Sequence, residues 1–425
     1  MAWTISATLL SGFMHLLLLA FLARILSPQE LGLIALTNVV ISFALLFSDS
    51  GLTNYVIHAQ NNTRLQQSSV YWFHLSLGCL AAVVVALGAP ALGWLYAAPE
   101  LVELLFVAAA IFPVFSAGAQ FQAHLSKRML LARVARIEIA GRVSAFVAII
   151  ALALSGLGAM SFVLGQLIGA AIRSAAMFLA CHSYWKPALM FDLRVIKAAL
   201  HFGGFNTAGQ LMNRLASDID VLLIGRFFDV GVLGIYSLAK ELAFGVLRLV
   251  TTVTSRVGIP MLAMHQADRT LLSRGYSKLL DVVSVCSSVL FASLLVAAPW
   301  VIPLVYGEQY TEVTLPFSLL ALIAILRSVG NVHGVLIVAT GRVRLDLAWN
   351  ILVVALMVPA IYIAAHKSLN SVLIAMLAVQ TLLYVAAFPV LVKQLVDLSF
   401  SRFLRSLAII LPIAALAVLL RSIID

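Results

Sequence analysis

The chain has 425 residues, of which 63% are hydrophobic and 10% charged, and its mean hydropathy is +1.08. A soluble domain carries about 25% charged residues, so this composition excludes a water-soluble enzyme or binding module and implies an integral membrane protein. The formal net charge of +10 raises the alternative of a nucleic-acid binder, which the placement of the charges removes.

An apolar stretch of about 20 residues crosses the hydrocarbon core as a helix. In chain order such stretches lie near residues 3 to 25, 31 to 57, 70 to 96, 101 to 124, 137 to 155, 158 to 181, 201 to 224, 231 to 255, 277 to 305, 313 to 339, 345 to 365, 369 to 392 and 403 to 424. The expected fold is therefore all-α and polytopic, with about 13 transmembrane helices and a range of about 12 to 14. The first stretch is too long for a signal-peptide core and has no small-residue cleavage site, so it is expected to be retained. The longest polar connections fall near residues 182 to 200 and 256 to 276. Cys79, Cys181 and Cys286 lie in or beside apolar segments without metal-ligand spacing. They are expected to be buried thiols, with no disulfide framework, metal or other cofactor.

With a cytoplasmic amino terminus, the inner loops hold Arg64, Lys127, Arg128, Arg133, Arg136, Lys186, Arg194, Lys197, Arg256, Arg269, Arg274, Lys278, Arg342, Arg344, Lys393, Arg402 and Arg405. The outer turns hold only Arg24, Arg226, Lys367 and Arg421, beside the acids Glu30, Glu100, Glu103, Asp229, Glu308 and Glu312. Basic residues concentrate in cytoplasmic loops of membrane proteins. The positive excess is thus a topology signal, and no nucleic-acid partner is implied.

The chain repeats itself. Ala23-Arg24-Ile25-Leu26-Ser27 leads to Leu31-Gly32-Leu33, and Gly225-Arg226-Phe227-Phe228-Asp229 leads to Leu233-Gly234-Ile235, an offset of 226 − 24 = 202 residues. A second echo sets Ala89-Pro90, Tyr96, Glu100 and Glu103 against Ala298-Pro299, Tyr306, Glu308 and Glu312. This predicts two six-helix halves, residues 1 to 182 and 201 to 392, and an extra helix over 402 to 425. An even number of spans per repeat predicts a pseudo-twofold axis along the membrane normal, with a binding cavity between the halves.

Ionisable groups inside spans are costly in lipid and mark cavities or ion pairs. The seventh span carries Asn206, Gln210, Asn213, Arg214, Ser217, Asp218 and Asp220 on one broad face, and the eighth carries Ser237, Lys240, Glu241, Arg248, Thr251, Thr252 and Ser255 on one side. Matching depths make crossed ion pairs between these helices feasible, either as structural locks or as pairs exchanged on binding. Arg327 stands mid-span without an acid in its own helix, and Arg173 stands mid-span among glycines and alanines. Both are expected to line a cavity. Glu138 and Arg142 are spaced for an intrahelical pair near the boundary, with snorkelling as the mechanism. Asp49 is equally a cavity ligand or a helix-break cap. His15, His74, His124 and His333 are expected to be hydrogen-bonded core residues rather than proton carriers.

The segment Leu22-Ala23-Arg24-Ile25-Leu26-Ser27-Pro28-Gln29-Glu30-Leu31-Gly32 resembles the first-turn signature of Wzx-type polysaccharide exporters, in the multidrug/oligosaccharidyl-lipid/polysaccharide flippase superfamily. Further landmarks follow in the family's order: Asp49-Ser50-Gly51-Leu52, Ala89-Pro90 with Tyr96, Asp220 through Ile224-Gly225-Arg226 to Gly234-Ile235-Tyr236-Ser237, Pro260, Tyr306-Gly307 and Thr340-Gly341-Arg342. The resemblance covers roughly residues 15 to 345. It implies a flippase of the bacterial inner membrane. Such a protein moves an undecaprenyl-diphosphate-linked oligosaccharide to the periplasmic leaflet for O-antigen, exopolysaccharide or capsule synthesis, coupled to a proton or sodium gradient.

A diphosphate-linked sugar is a large anionic head on a lipid tail, and guanidinium groups bind phosphate oxygens in bidentate fashion. Arg214, Arg248, Arg327 and Arg173 are therefore the expected cavity cations. Asp218, Asp220, Lys240, Glu241 and Asp49 are the expected coupling or gating groups, and alternating access follows from rocking of the two halves. Membrane lipids, and the polysaccharide polymerase and chain-length machinery, are the expected partners. Two other functions compete. A drug/cation antiporter of the same superfamily needs more acids than bases in its cavity. A membrane polysaccharide polymerase or ligase needs a large periplasmic loop.

Overall fold

The computed structural model describes residues 2–49 and 63–424. All regular structure among them is helical. In chain order the helices are α1 (Ala2–Ile25), α2 (Pro28–Asp49), α3 (Arg64–Leu95), α4 (Glu100–Ala109), α5 (Ile111–Lys127), α6 (Leu131–Leu154), α7 (Met160–Cys181) and α8 (Leu193–Phe227). They continue as α9 (Val230–Ala263), α10 (Arg269–Tyr306), α11 (Thr314–Ala339), α12 (Val343–Ala365), α13 (Leu369–Ala387) and α14 (Phe400–Ile424). Each expected span has a helical counterpart, with α4 and α5 forming one broken span. Among the described residues, 10 helices are long and apolar enough to cross a membrane. Exposed side chains such as Leu87, Leu179 and Leu304 cover their outer faces, as lipid requires.

Several helices outrun their apolar cores. α8 starts at Leu193, where the Asp192 side chain accepts from the Arg194 amide, and α10 starts at Arg269, where Asp268 accepts from the Thr270 and Leu271 amides. A capped polar turn remains helical outside the hydrocarbon because its first amides are satisfied by the side chain. The supposed connection from 256 to 276 is therefore mostly helix, with the turn confined to residues 264–268. The connection after α7 is irregular but anchored. Trp72 Nε1 donates to the Ala188 carbonyl at 2.7 Å, and Ser68 and Ser69 accept from the Ala188 and Asp192 amides.

The helices form two compact units, Met1–Gly234 and Ile235–Asp425. In the first, α6 and α7 pack closely, and a Cβ placed on Gly169 would meet Ala145 and the Gly141 carbonyl. Small residues let backbones approach where lipid supplies no hydrophobic drive for helix association.

The sequence repeat has a physical counterpart in this unit. Ser27 and Asp229 occupy equivalent positions and cap equivalent helices. Ser27 exchanges hydrogen bonds with Glu30 at the start of α2, and Asp229 accepts from the Gly231 amide at 2.8 Å. The repeated glycines are reciprocal. A Cβ on Gly32 would meet the Val230 carbonyl, and one on Gly234 would meet the Pro28 carbonyl. Arg24 and Arg226, at the repeated turns, are both exposed.

In the second unit, α11 packs against α10 and contributes many of the unit's buried residues, and α10 also packs along α14. The Tyr306 hydroxyl donates to the Leu238 carbonyl at 3.1 Å. His333 is a hydrogen-bonded core residue: the Tyr276 hydroxyl lies 2.8 Å from its Nδ1, and Tyr384 and Phe403 pack beside its ring. The thiol expectation holds for Cys181 alone. Cys79 and Cys286 are exposed, on helix faces whose apolar neighbours turn outward.

Candidate functional site: the cations within the spans

In the first unit two of the arginines within spans, Arg173 and Arg214, are linked to acids of the same unit. Arg173 on α7 donates through Nη2 to Gln122 Oε1 on α5, and Gln122 Nε2 donates to Glu138 Oε1 on α6 at 2.9 Å. Its guanidinium also lies over the Phe115 ring, 4.8 Å from the centroid. A carboxamide thus relays an arginine to a glutamate across three helices. Glu138 is engaged by Gln122 rather than by Arg142, and Arg142 is exposed.

On α8, Arg214 Nε lies 2.6 Å from Asp218 Oδ2, one helical turn on, and Arg214 Nη2 donates to Ser42 Oγ on α2 at 2.9 Å. Asp220 is buried, and its Oδ1 accepts from the Val221 amide. Asp49 ends α2, and its side chain lies outside the described residues, as does that of Asn206.

The second unit is arranged differently. Arg248 and Glu241 pair along α9 at 2.8 Å, with Arg248 on the exposed side. Arg327 has no such acid among the described residues. It stands near the middle of α11, about 20 Å from either end at ~1.5 Å of rise per residue. Its guanidinium lies 4.9 Å from the centroid of the Phe244 ring, and Nε makes a long 3.4 Å hydrogen bond to Gln380 Oε1 on α13. Lys240 Nζ lies 5.8 Å from the centroid of the same ring. Lys240 and Phe244 are both buried, and they are neighbours on one face of α9.

Two cations beside one aromatic ring can receive an anionic group. The ring face offers a weak attraction worth about 0.5 to 2 kcal/mol, and the guanidinium keeps donors available for phosphate oxygens. The structure therefore gathers Lys240 and Arg327 and commits Arg214 and Arg248 to acids in their own helices, with Arg173 tied to Glu138. Phe244, Gln380, Gln122 and Ser42 were not among the expected site residues. Only Phe244 carried a sequence signal, as an aromatic one turn from Lys240.

The sequence profile of the family described as polysaccharide biosynthesis protein matches residues 21–315, more than half of the chain. The chain belongs to the polysaccharide biosynthesis protein family. Relatives of this polysaccharide biosynthesis protein include the amylovoran biosynthesis protein AmsL of Erwinia amylovora, 29% identical over 83% of this chain and 92% of that protein. The lipopolysaccharide biosynthesis protein WzxC of Escherichia coli (strain K12) is 28% identical over 95% of this chain and 82% of its own length. The solved structure of the lipid II flippase MurJ, in an inward closed conformation, superposes with a TM-score of 0.76 over 100% of both chains at 13% identity. At that identity the likeness establishes the shared fold alone, that of a multi-pass helical membrane protein.

Proposed function

We propose that this protein is a flippase that moves an undecaprenyl-diphosphate-linked oligosaccharide repeat unit across the bacterial inner membrane for surface polysaccharide synthesis. The amino terminus is cytoplasmic in this reading, as the distribution of basic residues supports. One observation carries the assignment of the substrate. Arg327 is mid-membrane, has no carboxylate partner among the described residues, and shares the Phe244 ring with Lys240. An uncompensated arginine in a span is costly unless a ligand supplies the missing charge, and a diphosphate does so. Family membership and the biosynthetic names of AmsL and WzxC support the same class of cargo.

In this reading Arg327 and Lys240 receive the diphosphate. Arg214 and Arg248 hold their acids until substrate or a coupling ion competes for them, whereas Arg173 stays tied to Glu138 as a structural lock. Asp218, Asp220, Glu241 and Asp49 are the groups on which a proton or sodium ion acts, and the two repeats alternate access about the site. A drug/cation antiporter is less well served, because Asp218 and Glu241 are already bound to arginines.

The test is Arg327→Ala in cells dependent on this protein. The expected result is loss of surface polysaccharide with normal protein in the membrane and accumulation of the lipid-linked precursor inside. Normal surface polysaccharide at normal protein levels sinks the assignment.

A further inference from the structure

At the start of α10, beside the start of α14, lies a cleft of about 510 Å³ that is separate from the Lys240–Arg327 cluster. Its walls are built by hydrogen bonds between the two helices and the turn before α14. Arg402 donates through Nη2 to Asp281 Oδ2 at 3.0 Å and through Nε to Ser277 Oγ at 3.1 Å. Arg269 pairs with Asp397 at 3.3 Å, and Ser273 Oγ accepts from the Asp397 amide while donating to the Arg269 carbonyl.

Both carboxylates at the cleft are thus matched to arginines. The remaining charge is that of Arg274 and Lys278, one helical turn apart on α10, exposed and without an ion-pair partner among the described residues. The cleft is consequently positive, and the hydroxyls of Thr270, Ser273 and Ser277 line it.

Its depth is set by both helices. The lining residues of α10 run from Thr270 to Asp281 and straddle residue 277, where the apolar span begins. Asp397, Leu398 and Arg402 immediately precede the apolar span that begins at residue 403. This is the level of lipid head groups. Leu271, next to Thr270, and Phe400, two residues from Leu398 and Arg402, are 43% and 44% exposed. They add apolar surface beside the polar cleft. Basic pockets at this level on the cytoplasmic side suit anionic head groups, and a cleft of this size falls in the range that encloses a small ligand.

We propose that this cleft binds the phosphate of an anionic lipid head group, with Arg274 and Lys278 as its cationic ligands, and thereby clamps α14 to α10. The cytoplasmic placement rests on the topology given above, whereas the site itself does not depend on transport. The test uses the purified full chain in detergent, with thermal unfolding followed as phosphatidylglycerol, phosphatidylcholine or sodium pyrophosphate is titrated in. Phosphatidylglycerol is expected to raise the unfolding temperature of the native protein.

In Arg274→Gln/Lys278→Gln the apparent affinity is expected to fall about thirtyfold, the factor for removing two charges beside a head group. A control, Arg344→Gln/Lys367→Gln, removes the same charge from two exposed positions elsewhere and is expected to respond like the native chain. Equal responses of the native chain and the cleft variant overturn the site. Stabilisation by pyrophosphate matching that by phosphatidylglycerol overturns the lipid source, and stabilisation by phosphatidylcholine to the same degree overturns the charge-based recognition. No flipping is measured, so failure here leaves the transport reading standing.

Discussion

Arg173 in the first unit and Arg327 in the second both stand mid-helix in apolar segments, yet their charges are met in different ways. Arg173 reaches Glu138 through Gln122, so an acid stands in its network across three packed helices, while its Nη1 is buried without a hydrogen-bond partner. Arg327 reaches a carboxamide and an aromatic ring, which orient a guanidinium without neutralising it. A network that includes an acid offsets the charge it holds, whereas an arginine without an acid keeps its charge for whatever approaches it. In the reading proposed above, the first arginine is a structural lock and the second is the cation offered to an anion.

The largest expected effect breaks this comparison most directly. Arg327→Ala is expected to lower the rate of flipping in reconstituted vesicles by about thirtyfold or more, the cost of losing a charged hydrogen-bonding group of ~2 kcal/mol or above. Under the same assay Arg173→Met/Glu138→Leu, which removes the network as a unit, is expected to keep most activity in whatever protein folds. Equal losses in the two variants erase the distinction between the units.

A second substitution probes the repeat itself. Gly234→Val places a side chain against the Pro28 carbonyl, and overpacking of this kind costs about 1 to 3 kcal/mol. The yield of monodisperse protein on size-exclusion chromatography is expected to fall sharply, and Gly32→Val, its counterpart, is expected to match it. A severe effect at one glycine and none at the other contradicts their reciprocity.

Glu138→Ala alone leaves Gln122 and Arg173 without their acid in a largely apolar setting. The expected loss is about 1 to 3 kcal/mol of stability, read as a lower unfolding temperature with export retained. The smallest effect is expected from Phe244→Leu. It keeps the packing but removes a cation–π contact worth about 0.5 to 2 kcal/mol. Weaker apparent substrate affinity with nearly unchanged stability is the expected pattern, and a change in stability alone makes Phe244 a core residue only.

Much of the fold was legible because lipid imposes a simple rule: a segment that crosses must be helical, about 20 residues long and apolar. That rule located α3, α7, α12 and α13 to within a few residues, apart from the polar first turns of α3. It misplaced the starts of α8 and α10, where capped polar turns extend the helix, and the end of α9, which runs on to Ala263. The candidate site was less legible. Arg327 and Arg173 looked alike in sequence, each a lone arginine in an apolar span. Glu138 looked like the partner of Arg142 because i, i+4 spacing is visible along a chain, whereas contacts between helices are not.

The sequence by itself determined the all-helical membrane fold, the distribution of basic residues and the duplicated turn, since these depend on local composition and on similarity along the chain. Only the tertiary structure decided which charges are compensated. Gln122 and Arg173 are 51 residues apart, Arg327 and Gln380 are 53 apart, and Ser42 and Arg214 are 172 apart. The energy of an ionised side chain in a span is set by whatever packing places within about 4 Å of it. The same type of residue is therefore networked to an acid in one unit and left with a carboxamide and an aromatic ring in the other.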